Sequence, residues 1–222
     1  MSFLSAIRSK VGAIKRRITF SPLKYWEERA RQYGERSVLN LSHSAEEMKA
    51  VKDLQIHTLF PLLKKQLNGT EKTLLDFGCG PGRFDAELAE ITGCTVTAAD
   101  PIEYLLQLAP VHPKVSYKKI ADSRIPAEDE SFDIIWICLV LGGIVTEKAL
   151  HQAIKELNRV AKKDALLFLV ENTTDQKDIM TWRYRPKQTY IDLFKRFNLV
   201  HLADYDDAGE CNSVFAGRMK ES

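Results

Sequence analysis

From Lys72 onward, short apolar runs alternate with stretches of helical periodicity. The runs "KTLLDFG", "TVTAAD", "VSYKKIA", "DIIWICLV" and "ALLFLVEN" read as strands, with helices near residues 82–92, 102–109, 146–162 and 186–196 between or after them. That alternation predicts an α/β domain in which a parallel sheet is covered on both faces. The last two segments, "LVHLADYDDAG" and "NSVFAGRM", follow the final helix with only a short turn between them. They are expected to pair as an antiparallel hairpin at the sheet. The fold class expected is therefore α/β, doubly wound, with a mostly parallel seven-stranded sheet, helices on both faces, an antiparallel last strand and extra N-terminal helices.

The first seventy residues lack this rhythm and read as helices. On a helical wheel Phe3, Leu4, Ile7, Val11, Ile14 and Ile18 share one face, flanked by Arg8, Lys10, Lys15 and Arg17. Ser21-Pro22 breaks that basic amphipathic helix, because proline disfavours helix in the residue before it. "LKYWEERARQYG" predicts a second helix ending at Gly34, and "SAEEMKAVKDLQIHTLFPLLKKQL" a third, with Ser44 and Glu47 in capping-box spacing and Pro61 kinking or splitting it. The domain organisation expected is a basic arm at 1–20, lid helices at 21–68 with Tyr25, Trp26 and Tyr33 as lid residues, and a core at 69–222.

Composition changes this picture little. The 222 residues, 45% of them hydrophobic, can bury one sizeable core. The net charge is +2, but residues 1–26 hold six cations and no acid, which leaves a net −4 for the remainder. An acidic body argues against nucleic acid as a partner, since backbone binding needs a cationic surface. The arm suits a lipid headgroup boundary, packing on this protein or on a second copy in a homodimer, or an organelle transit peptide, and these stay open. Cys79, Cys94, Cys138 and Cys211 stand too far apart for a Cys-x-x-Cys pair or zinc spacing, so reduced thiols, no metal and a cytoplasmic location are expected, with peripheral membrane contact through residues 1–20 as the variant.

The stretch "LLDFGCGPGRF" carries the chemistry. Glycines at 78, 80 and 82 give G-x-G-x-G, whereas a dinucleotide fingerprint wants its third glycine where Arg83 stands. Asp76 precedes the turn, Asp100 closes the second strand and Asp122 follows the third. All three acids fall at the carboxyl edge of adjacent parallel strands, where ligands of open α/β sheets bind.

With "AADP", "IADSRIP", "SFDIIWICLVL" and the terminal strand pair, this stretch resembles the class I S-adenosylmethionine-dependent methyltransferases from about Tyr25 to Arg218. The resemblance implies that Asp76, Gly78, Cys79 and Gly80 lie against the methionine and ribose parts of S-adenosylmethionine. It implies that Asp100 accepts from the ribose hydroxyls, with Pro101 and Ile102 against the adenine. Asp122, with Ser123 beside it, would pair with the adenine amino group, and Cys138 and Leu139 would flank the methionyl chain. A donor without phosphates needs acceptors for hydroxyls and an amine, and carboxylates supply them. S-adenosylhomocysteine would be the product.

For the acceptor the residues say less. Where many members of that family place polar or histidine residues after the fourth strand, this chain reads "LGGIV", and Gly142-Gly143 would permit a close approach. Glu171 and Asn172 end the fifth strand at the same edge, with Glu171 as the catalytic candidate and Asn172 as an acceptor contact. Arg183, Tyr184 and Arg185 in "TWRYRP" could grip an anion while a ring stacks on a sugar or base, or could simply pack their own loop. The function expected is methylation, on oxygen or nitrogen, of a small molecule or a glycan or lipid conjugate. The alternatives are a nicotinamide-dependent oxidoreductase and a catalytically silent cofactor-binding scaffold at a membrane.

Overall fold

The computed structural model describes residues 20–41, 44–207 and 209–220. The basic arm expected over residues 1–20 lies, apart from Phe20, outside the described residues. Helix α1 (Pro22–Tyr33) opens with Ser21 as its cap and Pro22 in its first turn, and leads into a 3-10 segment, Gly34–Val38. Ser21-Pro22 thus starts a helix as well as ending one pattern, since proline's fixed φ suits a first turn whose N–H groups have no partner. Helix α2 (Ala45–Gln66) carries the full Ser44/Glu47 capping box.

Pro61 does not split α2, which runs through it to Gln66. Leu59 and Phe60 on one side of the proline and Leu63 on the other are all buried in one core cluster. Both halves are held on the sheet by that burial, which outweighs the roughly 3 kcal/mol that an interior proline costs a helix.

The core then alternates: β1 (Thr73–Phe77), α3 (Asp85–Thr92), β2 (Thr95–Asp100), α4 (Glu103–Leu108), β3 (Val115–Lys119), β4 (Phe132–Cys138), α5 (Glu147–Val160), β5 (Ala161–Asn172), α6 (Lys187–Leu193), β6 (Val200–Asp207) and β7 (Glu210–Arg218). The seven strands form one sheet in the order β3-β2-β1-β4-β5-β7-β6. β7 runs antiparallel to both β5 and β6, and the other pairings are parallel. The chain order reverses direction beside β1, which leaves a crevice at the carboxyl ends of β1 and β4.

Residue alternation along the strands divides the interior into two layers. Leu75, Ile135, Leu167 and Leu169 face α5 and α6, meeting Leu150, Leu157, Tyr190 and Phe194. Their neighbours Leu74, Ile134, Trp136 and Phe168 face the opposite way, toward α2 and α3. There Trp136 stacks flat on Phe168 with ring centroids 5.0 Å apart and meets Phe60 and Phe84 edge-on at 5.9 and 6.1 Å. This aromatic cluster ties α2 and the glycine turn to the middle of the sheet. Phe168→Ala, which removes the ring stacked on Trp136, is expected to cost about 3–5 kcal/mol. Urea denaturation would measure that loss, and an unchanged unfolding midpoint would contradict it.

Candidate active site at the carboxyl edge of the sheet

The glycine turn between β1 and α3 is stitched to β2, because the Gly78 and Cys79 N–H groups both donate to the Ala99 carbonyl, at 2.7 and 3.3 Å. Gly78 has φ +77°, and a Cβ there would meet the Val140 side chain at 2.5 Å. Gly80 has φ +55°, and a Cβ there would come within 3.0 Å of Val38, which the 3-10 segment lays across the turn. Only glycine satisfies both the left-handed backbone and the close approach.

Asp100, the last residue of β2, is 7% exposed. Its carboxylate accepts from the Gly80 N–H at 3.0 Å and from the Ile102 N–H at 2.7 Å. Burial pushes the carboxyl up to about 6 against the pull of those two donors. Each oxygen accepts one bond here, and a carboxylate has about four acceptor directions, so hydroxyl groups can still be received. That spare capacity, on a turn stripped of side chains, fits the ribose of the donor implied by the motif.

Beneath the turn lies a second acidic feature. Asp76 and Asp85 are both buried, and the Asp76 carboxyl and the Tyr117 hydroxyl face Asp85 without an ordinary hydrogen bond reaching it. Burial, and then the neighbouring Asp85, hold Asp76 well above the usual carboxylate range. Burial also pushes Asp85 up to about 6. The motif reading named Asp76; Asp85 escaped it, because an acid in the first turn of a helix reads as ordinary dipole compensation.

Asp122 and Ser123 follow β3 as two consecutive left-handed residues, φ +51° and +58°, in a tight turn closed by the Arg124 N–H on the Ala121 carbonyl at 2.8 Å. Both are exposed, at the same edge as Asp100. Cys138 ends β4 and Leu139 follows it with φ +59°. Pro101 and Ile102 lead into α4, and Ile102 packs with Ala30 of α1.

Glu171 does not face the crevice. It is fully buried, and its carboxylate accepts from the N–H groups of Val140 (2.9 Å), Leu141 (2.6 Å) and Gly142 (3.2 Å). Arg185 completes the same clamp by donating to the carbonyls of Leu141 (2.8 Å) and Ile144 (3.0 Å). The acceptor roles expected of Glu171 and Arg185 are thus corrected: both hold the loop after β4. Burial pushes Glu171 up to about 7 even with three N–H donors on it. Arg183 is also turned to its own loop, donating to the Ile179 carbonyl and pairing with Asp178 at 3.5 Å.

A cavity of about 350 Å³ opens beside the turn. Tyr25 and Trp26 of α1 and Trp182 and Tyr184 of the loop after β5 give it aromatic walls. Asn172, Asp207 and Glu210 make it polar where β5 meets the β6–β7 hairpin. Arg83 donates to Gln55 at 2.7 Å and Gln55 to Asp207 at 3.2 Å, a chain that links the glycine turn to that hairpin. The approach permitted by Gly142 and Gly143 is taken by the protein itself: a Cβ on Gly142 would lie 2.2 Å from the Trp182 ring, and one on Gly143 3.5 Å from both Trp182 and Trp26. Of the expected acceptor contacts, Asn172 and Tyr184 line the cavity. Gln55, Asp207 and Glu210 were not foreseen, because nothing local in their sequence distinguishes them from surface residues.

The acidic pair under the turn makes stability depend on pH. Asp85 titrates near 6 in the folded chain and near 3.9 when unfolded. Between those values the folded chain holds the extra proton, so stability falls as pH rises and the loss persists above 6. Asp85→Asn removes that loss. The variant should therefore gain on the order of 1 kcal/mol on the parent chain between about pH 4 and about pH 7. Urea midpoints at both pH values measure this, and identical pH dependence in the two chains would contradict it.

The comparisons with known proteins agree with this geometry. Residues 75–169, from β1 to β5, match the methyltransferase domain family. Phosphoethanolamine N-methyltransferase 1 of Triticum aestivum is 25% identical over 94% of this chain and 41% of its own. N-demethylindolmycin N-methyltransferase of Streptomyces griseus is 28% identical over 48% of this chain and 46% of its own. The chain thus spans less than half the length of either relative. A solved SAM-dependent methyltransferase from Aquifex aeolicus superposes with a TM-score of 0.57 over 79% of this chain and 98% of that one, at 21% identity. The glycine turn, the strand-end acids, the sheet order and the match over residues 75–169 agree in making this chain similar to the class I S-adenosylmethionine-dependent methyltransferases.

Proposed function

We propose that the chain transfers a methyl group from S-adenosylmethionine to an oxygen or nitrogen of a small molecule or of a glycan or lipid conjugate. The single observation that carries this reading is Asp100: a buried carboxylate, fixed by the Gly80 and Ile102 N–H groups with acceptor capacity to spare, at the edge where the aromatic cavity opens. When bound, S-adenosylmethionine supplies a methyl carbon on a sulfonium, open to in-line attack.

The chain's own residues then bind, orient and exclude water. Asp100 receives the ribose hydroxyls, and the turn at Gly78–Gly80 lets the donor approach the backbone. Asp122 and Ser123 sit where the adenine amino group would be met, with Pro101 and Ile102 beside the ring. Cys138 and Leu139 flank the methionyl chain, and the cavity walls align the acceptor with the methyl carbon; alignment in a closed site can supply most of the rate.

Helix α1 and the 3-10 segment act as the lid. Arg29 fastens one to the other, donating to the Ser37 carbonyl (2.6 Å), the Leu39 carbonyl (2.9 Å) and the Tyr25 hydroxyl (3.2 Å). Support for nitrogen comes from two relatives that are named N-methyltransferases.

Arg83 in place of a third glycine and the antiparallel β7 weigh against a nicotinamide cofactor. Calorimetry separates the two readings. S-adenosylmethionine should bind, NAD should not, and Asp100→Ala should weaken S-adenosylmethionine by about 10- to 100-fold, the loss of hydrogen bonds to a charged acceptor. Binding of NAD alone would overturn the proposal.

A further inference from the structure

The acceptor cavity has a chemistry of its own. Of its two arginines, Arg29 is tied to two carbonyls and the Tyr25 hydroxyl, and Arg83 donates to Gln55, lies over the Phe84 ring at 4.8 Å and faces the Asp207 charge. Among the described residues no lysine or histidine lines the cavity. Glu210 is half-buried, and among the described residues its Oε2 accepts from the Asn172 side-chain N–H at 2.7 Å. Ser37 is fully buried on the same wall, and its hydroxyl meets no hydrogen-bond partner among the described residues.

From this we infer that the methyl acceptor is a primary or secondary amine, and that Glu210 receives its proton. The inference rests on the methyltransferase reading above and narrows it. Methylation of an alcohol ends in a neutral ether, which would leave the Glu210 carboxylate facing an uncharged product. An amine enters the cavity as a cation and leaves it as a methylated cation, and both a carboxylate and the aromatic rings of Trp182 and Tyr184 stabilise a cation.

The step balances. The amine enters as an ammonium and gives one proton to Glu210, which restores its lone pair. That pair forms the nitrogen–carbon bond to the methyl group as the carbon–sulfur bond breaks, with sulfur keeping the bonding electrons. The product forms directly as a methylated ammonium, and Glu210 then releases its proton to solvent. Asn172 holds the carboxylate in place, and its Oδ1 is itself fixed by the Thr174 N–H at 2.9 Å. The Ser37 hydroxyl is positioned to bond a second polar group on the acceptor.

Matched pairs that differ only at the reacting atom test this: phenethylamine against phenethyl alcohol, and ethanolamine against ethylene glycol. Two readouts are used with the full chain, quenching of tryptophan fluorescence on binding and transfer of labelled methyl from S-adenosylmethionine. The amines are expected to quench and to take the label, and the alcohols to do neither. Glu210→Gln should lower kcat on the order of a hundredfold, while S-adenosylhomocysteine still binds by calorimetry. Ser37→Ala should raise KM with kcat nearly unchanged. Alcohols that bind or react as well as their amine partners, or full activity in Glu210→Gln, would overturn the inference. If S-adenosylhomocysteine fails to bind the parent chain, the donor reading falls instead, and amine binding by fluorescence still judges this one.

Discussion

Where parallel strands end, their last backbone N–H groups and those of the loops that follow lose their ladder partners, and in a buried crevice each needs another acceptor. This protein answers with carboxylates. Asp100 takes the N–H groups of Gly80 and Ile102, and Glu171 takes those of Val140, Leu141 and Gly142. The first anchors the glycine turn to β2 and the second anchors the loop after β4 to β5. The site lies between these two anchored loops, so its floor is as rigid as the sheet beneath it.

The two clamps differ in what they leave over. Asp100 keeps acceptor directions at a surface where Gly78 and Gly80 have no side chains, which leaves a structural group able to take a ligand as well. Glu171 is sealed under its loop by Arg185 and Tyr190, and all it can do is hold. Burying a carboxylate raises its pKa in both cases, and the N–H donors pull against that rise.

The fold was legible because each level agreed with the next. Short apolar runs, a glycine turn behind the first of them and helical stretches between them all called for the sheet that is found, down to the antiparallel hairpin at Val200–Asp207 and Glu210–Arg218. The expected donor-side residues Asp76, Gly78, Gly80 and Asp100 fall at one sheet edge for the same reason, since they lie within one local βαβ unit. The acceptor side was not. An acid at a strand end looks the same in sequence whether it points into a crevice, as Asp100 does, or folds back under the next loop, as Glu171 does. Gln55, Arg83 and Asp207 meet only because α2 crosses over to the β6–β7 hairpin, a contact spanning 152 residues that no local pattern encodes. Gly142-Gly143 read as room for a substrate, and the room is filled by Trp182, forty residues away.

The account stands on where the donor sits, and a crystal structure of the full chain with S-adenosylhomocysteine tests that most directly. The ribose hydroxyls are expected on the Asp100 carboxylate and the product sulfur beside Leu139, facing the cavity walled by Trp26 and Trp182. A product bound elsewhere, or with its ribose away from Asp100, would contradict it.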